Sequence, residues 1–264
     1  MTPKLGRLPR SYDPAIPHLS ALRMLACREH VTNPAPNWFT HIKDLNGFGQ
    51  MLNNEYGCCV EAGSYHAIQV LSSVMNTDGL EITEPDACVL KAYEEVTGFD
   101  PANPSSDQGT DMQTYLKHWL NTGIPTGPTA ETRHKCDAFV EIDPRNHGDI
   151  KEVIAGAGFV YLGFNVPSYL MADGDVPQVW DYPSAGDGTI VGGHCVIAAR
   201  ADDSGVWVVS WGSVYHMTWA FWDRFTDEAY AIIDPDWANL QGTPLGIPLH
   251  VLIAQMRGLA APAP

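Results

Sequence analysis

The sequence predicts an α+β protein with two lobes, a helical lobe followed by a β-rich lobe, and two observations lead to this class. Apolar residues recur at helical spacing in three segments between residues 59 and 123, whereas the apolar runs after about residue 157 are short and strand-like. With 264 residues and 45% hydrophobic content, the chain is long enough to bury one substantial core.

The ends of the chain are predicted to lie outside that core. Residues 1–40 contain repeated prolines and sustain no apolar period, apart from a short helix expected at 19–30, so they indicate an extended arm laid over a domain. Residues 258–264, which read GLAAPAP, are expected to fray. The domain itself is therefore expected at 41–257.

Three helices are predicted in the first half of the domain, each with start and stop signals. The first begins at Cys59 and carries an apolar stripe on one face for about four turns. The second begins near Thr83, has a proline in its first turn and stops at Gly98. The third is capped by Thr110 or Asp111 and ends on a Gly-Ile-Pro sequence.

The second half of the domain changes character. One short helix is predicted at about 147–157, and strand-like apolar runs follow it, together with a short aromatic helix within 217–234. We therefore place the helical lobe at about 41–135 and the β lobe at about 136–257. The predicted strands read FVYLGFNV, TIVGGHCVIAAR, GVWVVSW and EAYAIID.

The composition argues against two kinds of partner. Fifteen Lys and Arg residues against 31 Asp and Glu residues give a net charge of −16, which repels a phosphate backbone, so we expect no nucleic-acid partner. No stretch approaches about eighteen consecutive apolar residues, and the start lacks the apolar run of a signal peptide. We therefore expect no membrane partner and a cytoplasmic or virion-associated location.

One of the six cysteines stands in a chemically distinctive place. The six are scattered without CxxC spacing, which fits neither a structural zinc site nor a dense disulfide scaffold. Cys59 lies in the first turn of a predicted helix, where free backbone amides and the helix dipole favour the thiolate. The alternative is that Cys58 or Cys59 only fills space, since cysteine is among the most buried residue types.

A histidine interrupts an apolar strand directly after Gly192 and Gly193. The two glycines would let another chain approach the backbone of His194 closely. A lone histidine in a strand is more often structural, but the separation from Cys59 is 194 − 59 = 135 residues. Papain and the cathepsins separate their cysteine and histidine by about 130 to 150 residues, so the spacing favours a catalytic pair.

Other kinds of site are less well supported. The side chains of Cys58, Cys59, His66, His194 and Cys195 could be arranged around zinc, but adjacent cysteines cannot easily both bind one tetrahedral ion. The sequence has neither a complete dinucleotide-binding glycine pattern nor a phosphate-binding loop. We therefore expect neither a metal nor a cofactor.

These patterns, in this order, resemble the papain-like cysteine peptidase superfamily over most of residues 48–233. Asn53 lies six residues before Cys59, at the spacing at which the family places the amide of its oxyanion hole. His194 matches the family's Gly-His-Ala-Val strand. Residues 208–212, which read VVSWG, are similar to its Asn-Ser-Trp-Gly.

The resemblance implies a papain-like two-lobed fold whose second lobe is a barrel-like antiparallel sheet. It also implies a thiol hydrolase that acts on the peptide or amide bonds of a peptide or protein substrate. In that reaction Cys59 attacks the carbonyl, His194 takes and returns the proton, and Asn53 with the Cys59 backbone amide holds the oxyanion. The implied candidates for the substrate cleft are Gly57, Cys58, Gly192, Gly193, Ser210 and Trp211.

The sequence also departs from the family. Val209 stands where the family has the asparagine that orients the histidine, so Ser210 or an aspartate of the loop 173–187 is needed for that role. Tyr56 replaces a structural cysteine, and the usual disulfide of the first lobe therefore cannot form. Few residues precede Leu8, so no inhibitory propeptide is expected.

The same layout resembles predicted papain-like proteins encoded by tailed bacteriophages and prophages. This second resemblance implies an alternative function, a catalytically inactive papain-like fold that serves as a phage virion structural or interaction protein. Its partners would be neighbouring virion proteins. Val209 and the missing propeptide favour this alternative, whereas Cys59, His194 and Asn53 favour the hydrolase.

Overall fold

The computed structural model describes most of the domain and the beginning of the arm. The helix expected at 19–30 lies mostly outside the described residues, and so do the end of the β lobe and the tail. In the described part of the chain, no helix has the length and apolar character needed to cross a membrane. The described residues are 4–20, 36–75, 82, 84–127, 129–172, 176–182 and 188–235.

Five α-helices occur in these residues, at the places that the sequence predicts. Asp111 rather than Thr110 caps the third, because its carboxylate accepts a hydrogen bond from the Thr114 amide at 2.8 Å. Gly98 ends the second helix in the left-handed conformation, with φ at 74°. The helices are α1 (Cys59–Met75), α2 (Pro85–Thr97), α3 (Met112–Asn121), α4 (His147–Ala157) and α5 (Trp219–Phe225).

The described strands form a two-stranded ladder, β1 (Ile124–Pro125) with β2 (Arg133–His134), and one seven-stranded sheet. The order in the large sheet is β3-β9-β4-β6-β7-β8-β5. Its strands are β3 (Ala138–Ile142), β4 (Val160–Pro167), β5 (Val179–Trp180), β6 (Ile190–Ala201), β7 (Gly205–Ser210), β8 (Ser213–Thr218) and β9 (Thr226–Ile233).

The predicted α+β class is confirmed, but the expected barrel-like antiparallel sheet needs correction. Neighbouring strands are antiparallel except β5 and β8, which run parallel. The sheet is open in the described residues, with β3 and β5 at its edges. β5 can pair parallel with β8 because a long loop after β4, and not a hairpin, leads to this two-residue strand at the edge of the sheet.

Both sides of the sheet are covered, and alternation along each strand sends neighbouring side chains to opposite sides. Tyr161 and Tyr230 share a core with α1, on what we call the α1 side. Leu162, Trp180 and Phe221 belong to a second core with α4 and α5, on what we call the aromatic side. Helix α1, which begins with Cys59, therefore packs directly against the sheet.

The beginning of the arm contacts both lobes of the domain. Residues Lys4–Leu8, which we call the strap, run between the two lobes. Arg7 forms a parallel bridge with Thr110, and its amide donates a hydrogen bond to the Gly193 carbonyl at 3.1 Å. Arg7 is the buried residue of the strap, whereas Lys4 and Leu8 at its two ends are exposed.

Candidate active site

Cys59 lies where α1, β6 and the strap meet. It is the first residue of α1, and its side chain is 1% exposed. The turn before it is held by Asp107, whose carboxylate accepts a hydrogen bond from the Gly57 amide at 3.0 Å. The Cys59 sulfur accepts hydrogen bonds from the backbone amides of Cys195 and of Gly6 in the strap.

Burial controls the protonation of this thiol. The loss of water raises the pKa of Cys59 to about 12, although the hydrogen bonds from Cys195 and Gly6 act in the opposite direction. The nearby carboxyl of Glu61 raises it further. The first turn of a helix favours a thiolate, but here desolvation outweighs that effect, so the thiol is protonated at neutral pH.

His194 lies on β6 in a socket made of two aromatic rings. Its imidazole stacks on Trp211 with ring centroids 4.3 Å apart and an interplanar angle of 13°. Phe164, its partner on β4, meets the imidazole nearly at a right angle, at 83°. The Nε2 atom of His194 lies 2.8 Å from Ser210 Oγ. Ser210 is therefore the neighbour that engages this ring nitrogen, which the apolar side chain of Val209 could not do.

The turn between β7 and β8 explains how Trp211 reaches the histidine. Trp211 and Gly212 form a two-residue turn, with φ at 43° and 83°. A bulky residue rarely adopts the left-handed conformation, and such strain persists only where surrounding contacts impose it. Here it accompanies the placement of the indole against the His194 ring.

The loop aspartates do not provide an alternative orienting group in the described structure. Asp181 accepts a hydrogen bond from Thr218 Oγ1 at 2.7 Å instead. The other three aspartates of that loop, Asp173, Asp175 and Asp187, lie outside the described residues. Ser210 is the described group that is bonded to the His194 ring.

The cysteine and the histidine are both neutral in this closed state. Among the described residues, the Nδ1 atom of His194 has no hydrogen-bond partner, so the imidazole is not bonded to the Cys59 thiol through that atom. Burial lowers the pKa of His194 to about 3, and the positive charge of Arg7 lowers it further. So weak a base cannot remove a proton from a thiol with a pKa of about 12.

Asn53 is close to the strap, but its amide is engaged elsewhere. The backbone carbonyl of Asn53 accepts a hydrogen bond from the backbone amide of Lys4 at 3.0 Å. Its side-chain Nδ2 donates to the Tyr56 carbonyl at 3.2 Å, and the residue is 3% exposed. At rest this donor is therefore not aimed at a substrate oxygen.

Four glycines surround the strap and form a channel. A Cβ atom on Gly109 would lie 2.1 Å from the Gly6 carbonyl oxygen, and one on Gly193 would lie 2.4 Å from the Arg7 oxygen. Gly6 itself packs so closely that its own Cβ would lie 1.8 Å from the Gly57 oxygen. The channel therefore fits a bare backbone. The four glycines are Gly57, Gly109, Gly192 and Gly193.

The channel also satisfies the backbone of the strap. The Thr110 amide donates to the Gly6 carbonyl at 2.8 Å, and the Thr110 carbonyl accepts from the Leu8 amide at 3.0 Å. On the opposite wall, Gly193 accepts from the Arg7 amide. These bonds pair the strap with both walls, in the manner of a peptide added to a sheet edge.

The side chain of Arg7 enters a pocket between β4 and β9. Its guanidinium pairs with Glu228 at 2.6 Å and with Asp227 at 2.9 Å. It also donates to Asn165 Oδ1 at 3.0 Å. Arg7 therefore anchors the strap by an enclosed ion pair as well as by its backbone.

Cys58 does not take part in this arrangement. Its sulfur lies 3.5 Å from the Met51 carbonyl, on the other side of the turn, and burial raises its pKa. All five described cysteines are free thiols. Within the described ranges, no group of three or more His, Cys, Asp or Glu residues is arranged to hold a metal ion.

Comparison with solved structures places the fold of the chain. No family model and no curated protein matches it. Xylellain, a cysteine protease from Xylella fastidiosa, superposes with a TM-score of 0.66 at 14% identity, over 88% of this chain and 97% of that one. The procathepsin B S9 of Trypanosoma congolense gives a TM-score of 0.55 at 10% identity, over 88% and 86%.

A third structure agrees with these two. The Carica candamarcensis cysteine protease CMS1MS2, in its complex with E-64, has a TM-score of 0.51 at 11% identity, over 76% of this chain and 99% of that one. The chain has the papain-like fold. The two-lobed fold predicted from the sequence is therefore confirmed, and at these identities the likeness concerns the fold alone.

Within this papain-like fold, most of the residues singled out from the sequence lie around the strap. Gly192 contacts the Leu5 side chain, while Ser210 and Trp211 contact His194. Cys58 is the exception, since its sulfur faces Met51. The others that border the strap are Asn53, Gly57, Cys59 and Gly193.

Sequence reasoning missed the strap and the pocket that holds it. Two signals were present. Three of the fifteen basic residues, Lys4, Arg7 and Arg10, lie in the first ten positions of an otherwise acidic chain. In addition, Asp227 and Glu228 stand at the start of a strand whose other residues are mostly apolar. Buried carboxylates of this kind need a cation.

Proposed function

We propose that the chain is a papain-like thiol hydrolase that acts on peptide or amide bonds and is held closed by its own strap. One arrangement supports this proposal: Cys59 starts a helix beneath the amide of Cys195, and His194 is the preceding residue of the same strand. Ser210 engages Nε2 of that histidine, which leaves Nδ1 available for the thiol proton.

In the proposed reaction, His194 Nδ1 takes the proton of Cys59 and the sulfur attacks the carbonyl carbon. The C–N bond then breaks as His194 returns the proton to the leaving amine, and a thioester remains. Water, deprotonated by His194, hydrolyses the thioester and restores the thiol. The Cys59 backbone amide would hold the oxyanion together with Asn53 Nδ2, after that donor leaves the Tyr56 carbonyl.

The strap must leave before this reaction can start. It fills the glycine channel, where burial holds the pKa of Cys59 near 12 and that of His194 near 3, although Gly6 and Arg7 of the strap themselves lower the pKa of Cys59. Returning water lowers the first and raises the second, so that proton transfer becomes feasible. The strap is not itself placed for cleavage at Gly6, because the Gly6 carbonyl is bonded to the Thr110 amide.

The test uses the full chain with Gly6→Ala, which opens the channel because the added Cβ cannot fit against Gly57. We expect iodoacetamide at about pH 6 to label Cys59 ahead of the buried Cys88 and Cys136, as measured by mass spectrometry. The unaltered chain, whose Cys59 is covered, should label slowly at every site.

Two further variants in the Gly6→Ala background test the pairing of the two residues. His194→Ala should slow the labelling of Cys59 by at least about ten-fold, because the base that activates the thiol is lost. Cys59→Ser should abolish hydrolysis of a fluorogenic peptide amide. Equal labelling of all cysteines in the opened chain, with no effect of His194→Ala, would contradict the hydrolase.

The alternative is a catalytically inactive papain-like fold that serves as a virion structural or interaction protein. One observation favours it: the cleft is filled and Cys59 and His194 are both buried and neutral. On this alternative, opening the channel would expose Cys59 without making it more reactive than a free cysteine in a peptide. The labelling rate in the Gly6→Ala chain therefore separates the two functions.

A further inference from the structure

We propose that the pocket formed by Asn165, Asp227 and Glu228 is an arginine-recognition site, and that the channel beside it binds extended peptides that carry an arginine. Arg7 of the same chain is the occupant at rest. The inference rests on the proposed function only in making such peptides substrates, since recognition of the arginine does not depend on the thiol chemistry.

The pocket surrounds a guanidinium with acceptors on several sides. Arg7 Nη1 lies 2.6 Å from Glu228 Oε1 and 2.9 Å from Asp227 Oδ1. Arg7 Nη2 lies 3.0 Å from Asn165 Oδ1 and 3.2 Å from Asp227 Oδ2. Nη1 thus donates to Glu228, and Nη2 donates to Asn165 and to Asp227 Oδ2, so the pocket engages both terminal nitrogens of the guanidinium, of which lysine offers only one.

The acceptors are themselves fixed in place by neighbouring groups. Asn165 Nδ2 donates to Asp227 Oδ2 at 2.8 Å, which turns the amide oxygen of Asn165 toward the guanidinium. Tyr230 donates its hydroxyl to Glu228 Oε2 at 2.9 Å, which leaves Oε1 for Arg7. Neighbouring groups, and not Arg7 alone, therefore hold these acceptors in place.

The shape of the pocket also fits an arginine stem. Gly163 forms its wall, and a Cβ there would lie 2.6 Å from Arg7 Cδ and 2.7 Å from Met112 Sδ. The Arg7 side chain is 0% exposed, the Glu228 side chain 1% and the Asp227 side chain 30%. One rim of the pocket thus remains open to solvent at Asp227.

An empty pocket would leave two carboxylates together with no cation. Among the described residues, Arg7 is the only Lys or Arg that forms an ion pair with Asp227 or Glu228. A buried carboxylate that loses its partner is strongly destabilised, so the site favours a bound cation. When the strap leaves, an arginine from another peptide can restore the same contacts.

The channel and the pocket contact different parts of a bound peptide. The channel contacts backbone atoms, which every peptide has, whereas the pocket contacts a side chain. The close approach of Gly6 to Gly57 adds a size limit at the residue before the arginine. In this pose the preferred ligand is therefore an extended peptide in which glycine precedes arginine.

The decisive experiment measures binding of a peptide in trans to the full chain carrying Gly6→Ala and Cys59→Ser. The probe is a fluorescein-labelled peptide with the sequence of residues 4–12, KLGRLPRSY, and the readout is fluorescence anisotropy. We expect binding, and we expect citrulline in place of Arg7 in the peptide to weaken it by at least about ten-fold. The matched control is acetyl-lysine in place of Lys4, an exposed residue that carries the same charge, and should change binding less than about three-fold.

A second measurement on the intact strap covers the case in which Gly6→Ala does not open the channel. In the full chain, Arg7→Gln should speed hydrogen exchange at the amides of Arg7 and Leu8 by at least about ten-fold, whereas Lys4→Gln, at an exposed position, should leave it nearly unchanged. Glu228→Gln should act like Arg7→Gln, and Asp203→Asn, at a fully exposed position, should not.

The outcomes separate this inference from the proposed hydrolase. Equal binding of the arginine and citrulline peptides, or unchanged exchange in Arg7→Gln, would overturn the arginine pocket while leaving the thiol chemistry untouched. An opened chain that binds the arginine peptide selectively but whose Cys59 is unreactive would overturn the hydrolase and leave the pocket standing. A folded, opened chain that binds neither peptide would overturn recognition in trans.

Discussion

On the aromatic side of the sheet, the buried residues that meet α5 are rings and aliphatic chains, whereas the α1 side buries charged groups next to the cleft. Leu162, Phe221 and Trp222 on the aromatic side are each 0% exposed. On the α1 side, Glu61 is equally buried, and Arg7 is enclosed with its carboxylates. Apolar burial stabilises a fold, and burial of charge costs free energy unless partners compensate it. The apolar packing around α5 therefore stabilises the fold, whereas the α1 side combines an apolar core of its own with buried charge beside the cleft.

The largest effect is therefore expected on the aromatic side. Trp222→Ala removes a fully buried ring and the hydrogen bond from its Nε1 to the Pro144 carbonyl at 2.7 Å. We expect a loss of about 3–5 kcal/mol in the free energy of unfolding, measured with urea. Trp222→Phe, which keeps most of the apolar area, should lose less. A loss below about 1 kcal/mol would show that stability does not depend on this side.

On the α1 side, by contrast, removing a charge should stabilise the protein. Burial raises the pKa of Glu61 to about 8, and its Oε2 atom has no hydrogen-bond partner among the described residues. In the unfolded chain the carboxyl ionises near its ordinary pKa, about 4.5. The folded protein thus binds the extra proton between about pH 4.5 and pH 8, and its stability falls as the pH rises through that window.

Glu61→Gln should remove this pH dependence. The amide oxygen can still accept the hydrogen bond that Thr110 Oγ1 donates to Glu61 at 2.7 Å. We expect the variant to match the parent near pH 4 and to exceed it by up to about 5 kcal/mol above pH 8, as measured by urea unfolding across pH. Glu55→Gln, at an exposed position, is the control. A constant difference at every pH would mean that Glu61 is not protonated in the folded state.

These contrasts also explain what the sequence could predict. The helices and the long strands follow from local periodicity, which is why α1, α4 and β6 lie where the apolar patterns place them. The two-residue strand β5 has no period to detect, and its parallel pairing with β8 depends on contacts distant in sequence. The open edge of the sheet was unpredictable for the same reason.

At the candidate site, short motifs in the sequence identified individual residues, but they did not show how those residues are buried or paired. Cys59 and His194 stand out through their local context, and Ser210 was one of several candidates for the orienting group. The ion pair of Arg7 with Glu228 joins residues that are 221 positions apart, so no local pattern reveals it. The raised pKa of Cys59 likewise depends on its burial, which is a property of the folded chain.

The smallest effect is expected at the border between the two sides, at Ser210. His194 packs with Phe164 and Trp211 of the aromatic core, but its Nε2 is bonded to Ser210. In the Gly6→Ala background, Ser210→Ala should slow the labelling of Cys59 by iodoacetamide about five- to ten-fold, the kinetic equivalent of one hydrogen bond. Ser210→Thr keeps the hydroxyl and should retain most of the rate.

The pH dependence of that rate distinguishes orientation from a general loss of structure. If Ser210 holds the imidazole, Ser210→Ala should lower the labelling rate and move the apparent pKa of its pH profile, while leaving the urea midpoint of unfolding within about 1 kcal/mol of the parent. An unchanged profile would assign the orientation of His194 to its stacking between Phe164 and Trp211. In that case the aromatic side would position the catalytic base as well as stabilise the fold.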